Sequence, residues 1–371
     1  MDWPNYMMIV LLKREFHWQM NSTLFSDTER AAIRNAIERS TSWVTSKQGE
    51  DGSIRLREGV VEKDPVCWYK VVWPLALAGK VREANLTASH IRSNFMLENG
   101  DFSGGEPRSS EEWFQWRYYT YLNFWVVVGA HKLGRFDLSF PGISYVLRYR
   151  DPVTGGFCNE KPYPEGNYLE DSLAASYNGL ACLYLGKLEE AREAGRFLTN
   201  LLKLQPEINR TFYTAVNARE GGLIEDFPSD EAINRIVDSS QTQQYYYFVG
   251  YPIMLLSKLF LATNEEVFLN AAKQYFDFAK ECQDDVYASP PSGKLAWGCA
   301  ILHRIMGERE VGEAVKKQVR FLLETQEVDG SWSRFPGFKR YMNGELLALP
   351  TVMDVTSEFS TWLSEILQES G

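Results

Sequence analysis

Tyr184-Leu185-Gly186-Lys187-Leu188-Glu189-Glu190-Ala191 stops one helix and starts another almost at once. Before the glycine, Ser172 to Tyr184 is small and aromatic on every side, which suits a helix buried from two directions. After it, Glu189 to Leu202 alternates charged and apolar residues with the period of a helix that has one wet face. Glycine at the junction reaches positive φ without a Cβ clash, so the first helix ends and the chain reverses.

Leu77-Ala78-Gly79-Lys80-Val81-Arg82-Glu83-Ala84 and Ile305-Met306-Gly307-Glu308-Arg309-Glu310-Val311 repeat the pattern, and Leu133-Gly134-Arg135 and Ala262-Thr263-Asn264-Glu265-Glu266 are weaker copies. Longer turns separate the pairs: Gln48 to Ile54, Asn99 to Gly105, Asp151 to Phe157, Glu220 to Gly222, Ser289 to Gly293 and Gln326 to Trp332. Their spacing of roughly 40 to 70 residues is that of helix-pair repeats with loops of unequal length.

The pattern predicts outer helices near 27–47, 81–97, 137–149, 187–203, 265–283 and 309–326. Inner helices are predicted near 65–79, 110–132, 171–185, 241–261, 293–306 and 354–368. Ser26-x-x-Glu29 and Ser109-x-x-Glu112 read as capping boxes, and Asp64-Pro65 as a cap before a first-turn proline. Six pairs close an all-α (α/α)6 toroid of six inner and six outer helices around a central cavity. It is expected as a single domain over 1–371, with 1–25 as an N-terminal extension packing on the barrel. Connections from outer to inner helices are the long ones, so all long loops gather on one face. Segments 151–170, 204–240 and 327–353 are the longest, and they mark that face as the mouth.

A hydrophobic content of 44% over 371 residues is ample for a large core. A formal charge of −10 without a basic stripe argues against nucleic acid as a partner. The five cysteines form no CxxC pair and read as reduced, mostly buried thiols. The apolar run Tyr6 to Leu12 lacks a basic flank and is too short to span a bilayer. A cytoplasmic protein with no membrane span is the expectation, although sequons at Asn21, Asn85 and Asn209 leave secretion open. Nothing in the sequence bears on oligomeric state.

Val319-Arg320-Phe321-Leu322-Leu323-Glu324-Thr325-Gln326-x-x-x-Gly330-Ser331-Trp332 resembles the QW repeat of squalene–hopene and oxidosqualene cyclases. Ser46-Lys47-Gln48-x-x-x-Gly52-Ser53-Ile54 looks like a second copy with isoleucine in place of tryptophan. With the helix-pair count, these make the chain similar to the terpene cyclase and protein prenyltransferase toroid superfamily. The resemblance implies the fold, with Gln326 and Trp332 tying an outer helix to its following turn. It does not carry the chemistry. The DxDD-type acid of triterpene cyclases is missing, and Asp284-Asp285-Val286-Tyr287-Ala288 lacks the last acid of DDxxD. His17, His90, His131 and His303 are isolated from the cysteines, unlike the zinc set of prenyltransferases. No metal and no cofactor are therefore implied.

A toroid's ligand meets the first turns of its inner helices, which supply the candidates. Lys70, Arg117, Asp171 and Tyr246 are the candidate catalytic residues. Lys70 and Arg117 are charges in otherwise apolar helices, so each must face a carboxylate such as Asp64, Asp171 or Glu358, or a ligand. Trp68, Tyr69, Trp113, Trp116, Tyr118, Tyr177, Gln243, Gln244, Lys294, Trp297 and Glu358 are the candidate substrate-binding residues. Aromatic rings suit a flat apolar ligand or a sugar face. Lys294, beside Gly293 at a helix start, reads as the most solvated of the cations.

Three functions fit this inventory. A metal-independent cyclase, such as a Diels–Alderase or a terpenoid or polyketide cyclase, would fold a hydrophobic polyene into a reactive shape and polarise it with one donor. A carbohydrate-active enzyme would need acids facing each other, for which Asp64, Asp171, Asp226 and Glu358 are available. A non-catalytic binder would hold a small apolar ligand. The cyclase is the leading expectation.

Overall fold

The computed structural model describes residues 24–103, 117–166, 168–335 and 346–371. Six outer helices are present among them: α1 (Asp27–Ser46), α3 (Val81–Asn94), α5 (Phe136–Val146), α7 (Leu188–Leu204), α10 (Glu266–Glu281) and α12 (Arg309–Thr325). They alternate with inner helices α2 (Val72–Leu77), α4 (Tyr119–Lys132), α6 (Ser172–Tyr184), α9 (Tyr247–Thr263), α11 (Gly293–Met306) and α13 (Leu349–Glu369). Each inner helix packs on the next, and α13 packs back on α2, so the ring is closed. The architecture is the all-α toroid read from the sequence.

Burial separates the two layers as the residue patterns require. α4, α6 and α11 are buried on nearly every side, whereas α7 and α12 bury one stripe and wet the other. The tight inner-to-outer turns hold Gly79, Gly134, Gly186 and Gly307 at φ 74°, 80°, 73° and 69°, and Asn264 at 58°. Ser26 and Glu29 form the expected capping box, while Asp64 caps a short 3₁₀ turn, Pro65–Cys67, that precedes α2. The Ser109 box and the 1–23 part of the extension lie outside the described residues.

Two expectations change. Gly293 is not a reversal but the first residue of α11, at φ −58°, and a Cβ there would meet the Trp362 ring at 1.8 Å. The segment 204–240 is not structureless. Its strands β2 (Thr211–Tyr213) and β5 (Ile236–Asp238) pair antiparallel, as do β3 (Ala215–Asn217) and β4 (Gly222–Leu223). β3 also pairs with β1 (Leu169–Asp171), which leads into α6, and a one-turn helix α8 (Ala232–Arg235) precedes β5. Hydrogen bonding among strands gives this long connection a fixed shape over the mouth.

Side-chain amides stitch the outer layer. Gln326 Nε2 donates to the Ala36 carbonyl at 2.9 Å and to Gly330 at 3.0 Å, linking α12 to α1. Gln48 Nε2 donates to the Glu83 carbonyl at 2.7 Å and to Thr87 Oγ1 at 2.6 Å, linking α1 to α3. Trp332 Nε1 donates to the Leu322 carbonyl at 2.9 Å and pins the turn after α12. Gly330, at φ 95°, lies so close to the Arg39 carbonyl that a Cβ would sit 2.4 Å from its oxygen. Among the described residues no helix is long and apolar enough to cross a membrane.

The axis of the ring is filled at mid-depth by aromatic side chains. The Trp73 ring meets Trp125 at 5.1 Å, Phe124 and Trp297 at 5.7 Å and Tyr184 at 6.1 Å, so one residue of α2 touches three other inner helices. Edge-to-face contacts of this kind add to the burial of the rings themselves. Any hollow therefore lies above this plug, toward the mouth, rather than through the barrel.

Candidate active site

Four ionisable side chains converge directly above the plug. Asp354 and Glu358 stand one turn apart on α13, and so share a face. Lys70, just ahead of α2, places Nζ 2.8 Å from Asp354 Oδ2 and 2.7 Å from Glu358 Oε2. Lys294, the second residue of α11, places Nζ 2.8 Å from Glu358 Oε1. Tyr121 of α4 donates its hydroxyl to the same Oε1 at 2.9 Å, and the Tyr69 hydroxyl interacts with Asp354. The side chains are 3% exposed at Lys70, 8% at Glu358, 9% at Lys294 and 15% at Asp354, so the cluster opens to solvent on the Asp354 side.

Aromatic faces line the cations. Lys70 Nζ lies 5.0 Å from the Tyr69 ring and 5.3 Å from Trp125. Lys294 Nζ lies 4.8 Å from Trp362, 5.2 Å from Tyr247 and 5.7 Å from Tyr251. Ring quadrupoles favour the ammonium form and partly replace lost hydration.

Burial disfavours every charge here, yet the four groups respond in opposite directions. At Lys294 burial dominates the Glu358 attraction, Lys70 adds repulsion, and the pKa falls below the usual lysine range. At Lys70 burial is outweighed by Asp354 and Glu358, and the pKa rises. Burial likewise raises Asp354 in spite of Lys70. At Glu358 burial is overcome by two ammonium groups, which hold the carboxyl well below its ordinary value.

A second cluster lies beside the first, where the 204–240 connection meets the ring. Arg117 Nη1 donates to Glu231 Oε2 at 2.6 Å and Nη2 to Oε1, a two-point pairing, and Arg235 Nη2 lies 3.3 Å from the same carboxylate. Asp171 caps α6 by accepting from the Ala174 amide at 2.7 Å, and it also accepts from Asn159 Nδ2 at 2.7 Å and from Tyr118. Burial raises the Asp171 pKa despite these donors. Tyr247 stands between the clusters, since its hydroxyl feels Tyr118, Asp171 and Arg117 while its ring lies under Lys294.

The structure brings together Lys70, Tyr69, Lys294 and Glu358 of the sequence-derived candidates, and Arg117, Tyr118 and Asp171 gather next to them. Tyr177 lies beneath, its hydroxyl 3.1 Å from Thr120 Oγ1. Lys294 corrects the solvated reading, because the 3₁₀ turn Pro290–Ser292 tucks the start of α11 inside the ring. Arg117 is paired with Glu231 rather than with Asp64, Asp171 or Glu358. Asp64 and Asp226 are exposed, so no opposed acid pair forms from them.

Other candidates sit elsewhere. The Trp68 ring stacks on Phe95 at 4.3 Å, between the layers, and Trp297 belongs to the plug. Tyr246 turns away and donates to Asp285 Oδ1 at 2.7 Å. Gln243 donates its backbone amide to Asp285, and Gln244 clamps the Asp238 amide and carbonyl, so both shape the turn before α9. Trp113 and Trp116 lie outside the described residues. Tyr121, Tyr247, Tyr251, Glu231 and Arg235 were not among the candidates. Asp354 carries a usable signal: an acid one turn before Glu358 in an apolar helix must share its surroundings.

Among the described residues, no three His, Cys, Asp or Glu side chains form a set able to hold a metal ion. His90, His131 and His303 lie on α3 and at the far ends of α4 and α11, distant from the mouth.

The sequence matches no known family, and no curated protein resembles it in sequence. Solved structures share its fold. A D-mannose isomerase superposes with a TM-score of 0.69 at 12% identity, covering 93% of this chain and 99% of its own. A family GH76 α-mannanase from Bacteroides thetaiotaomicron superposes at 0.61, with 12% identity over 90% of this chain and 95% of its own. A type II terpene cyclase from Scytonema, in complex with merosterolic acid A, superposes at 0.52, with 11% identity over 93% of this chain and 100% of its own. At such identities the likeness shows the toroid alone.

Proposed function

We propose that the chain is a proton-transfer enzyme, of isomerase or epimerase type, acting on a small polyhydroxylated carbonyl compound. One observation carries this reading: Glu358 holds a lysine on each carboxylate oxygen, and the two lysines are pushed in opposite directions. Groups whose environments separate their pKa values divide into acid and base. Lys294 gives up its proton more easily than an ordinary lysine and serves as the base that removes a hydrogen next to the carbonyl. The C–H electron pair moves into the enediolate, whose oxygen is stabilised by the Lys70 ammonium and the Tyr121 hydroxyl. Glu358 stabilises Lys294 once it is protonated, and Lys294 returns the proton to the neighbouring carbon, or to the opposite face of the same carbon. Asp354, biased toward its acid form, exchanges protons with substrate hydroxyls.

The expected cyclase fits less well. Folding a long polyene needs an apolar hollow, whereas the described rings pack against one another and the groups above them are ionic. Structural neighbours on this fold include a D-mannose isomerase and an α-mannanase, whose names carry sugar chemistry, and a terpene cyclase, whose name does not.

Incubation with aldoses and ketoses in deuterated water tests the reading by mass spectrometry. Exchange at carbon next to the carbonyl is expected with the native chain and is lost in Lys294→Met at unchanged far-UV dichroism. The rate should climb with pH through an ionisation below 10.5, the ordinary lysine value from which burial lowers Lys294. Solvent exchange that survives Lys294→Met, or cyclisation of a polyene without any sugar exchange, overturns it.

A further inference from the structure

The base of the ring, opposite the mouth, is unevenly covered. Five tight turns close it, at Gly79, Gly134, Gly186, Asn264 and Gly307. At the first four, large apolar side chains stand 36% to 53% exposed: Val81, Phe136 and Leu188 open α3, α5 and α7, Phe140 lies one turn into α5, and Leu261 and Val267 flank Asn264. Single exposed apolar residues are ordinary, but these recur at the same end of successive helix pairs. The turn at Gly307 differs. There α12 begins with Arg309 and Glu310, and its buried Gly312 lies so close beneath Leu24 that a Cβ would sit 3.0 Å from Leu24 Cδ1. Leu24 and Phe25 are themselves buried, so this turn is covered by the residues that lead into α1.

We propose that residues 1–23 form a strap across this face, with the Tyr6 to Leu12 run docked on Val267, Leu261 and Leu188. Direction comes from Leu24: read backward from α1, the chain crosses to the start of α12, and α10 is the next outer helix, with Lys273 Nζ 3.9 Å from Glu308 and Lys280 Nζ 3.3 Å from Glu310. Length allows it. The twelve residues from Leu12 to Leu24 extend to about 40 Å, several times the spacing of about 10 Å between packed helix axes. Chemistry requires a cover, because the run from Tyr6 to Leu12 is seven apolar residues without a charge, and water disfavours both it and the apolar side chains of the base. The tether at Leu24 keeps the segment at high local concentration over the base, an advantage that a second copy of the chain lacks.

Photoreactive benzoylphenylalanine placed at Tyr6, and separately at Leu12, in the full chain tests the strap by cross-link mapping. Cross-links within one chain to residues 258–268 or 186–189 are expected. They should fall several-fold in the full-length variant Leu261→Ser with Val267→Ser, whose melting temperature should drop by a few degrees. Ile9→Asp with Leu11→Asp should lower melting by a similar amount, and the four substitutions together by little more, since both pairs break one contact. The aspartate pair alters no residue of the ring, so it reads the strap even where the serine pair fails to fold. Cross-links between two copies, cross-links confined to the mouth loops, or melting unchanged by the aspartate pair overturns the proposal. Binding to phosphatidylcholine vesicles without any cross-link inside the chain overturns it as well, and makes the run and the base a membrane-docking face instead.

Discussion

Lys70 and Lys294 approach Glu358 from opposite sides, at 2.7 Å from Oε2 and 2.8 Å from Oε1, and so share one carboxylate between three inner helices. Removing that carboxylate leaves two buried ammonium groups facing each other across a neutral amide. Glu358→Gln is therefore expected to cost about 3–5 kcal/mol of stability and to abolish exchange. Adding Lys294→Met to it should restore part of the stability without restoring activity, since the stranded charge is gone. Urea unfolding of Glu358→Gln, Lys294→Met and the double variant checks the coupling.

Glu170, in β1, is wholly buried and accepts from Thr154 Oγ1 at 2.7 Å. Burial pushes its carboxyl up to about 8, from an ordinary 4.5. Between those values the folded chain keeps a proton that the unfolded chain has released. The stabilising contribution is thus complete below pH 4.5 and is lost as pH rises through about 8. One such group changes stability by at most about 1.4 kcal/mol per pH unit. Melting temperatures from pH 5 to 9 should fall less steeply in Glu170→Gln than in the native chain.

Neighbouring tyrosines at the start of α9 should behave oppositely. Tyr246 donates to Asp285, so Tyr246→Phe is expected to lose about 1 kcal/mol of stability and keep its exchange rate. The Tyr247 hydroxyl is buried and has no hydrogen-bond partner, so Tyr247→Phe should leave stability unchanged or slightly higher. Its kcat/KM is expected to fall, because that hydroxyl is available only to a ligand. Equal kinetic effects from the two variants would remove Tyr247 from the site.

Trp332 Nε1 bonds the Leu322 carbonyl, and the ring meets Phe359 at 5.4 Å. Trp332→Phe keeps most of the apolar contact and leaves the Leu322 carbonyl with only the longer bond from Thr325 Oγ1 at 3.4 Å, so the lost hydrogen bond should cost about 1 kcal/mol. Thermal melts should register the loss while single-turnover exchange stays native. A selective loss of turnover would mean that this turn reaches the substrate.

The toroid was legible because two local signals agreed: all-round apolar helices alternate with striped ones, and a glycine or asparagine closes each short turn. The buried ionic cluster proposed as the site was foreshadowed only where a residue violated its own helix, as Lys70 does amid Trp68, Tyr69, Val71 and Val72. Register was lost at α9, which begins at Tyr247 rather than near 241, because Gln243 adopts φ 56° and Gln244 folds the chain back on Asp238. Arg117 finds Glu231 114 residues away, in a connection whose strands are too short to show a period. No local pattern encodes such a pairing.

In an open stack of helical repeats each terminal unit has a neighbour on one side only, and unravelling can begin there. Here α13 packs against both α1 and α2, and Gln326 fastens α12 to α1. The circle consequently has no loose unit from which to fray. Loss of structure has to sever contacts on both flanks of some pair at once, which makes the whole ring a single cooperative element.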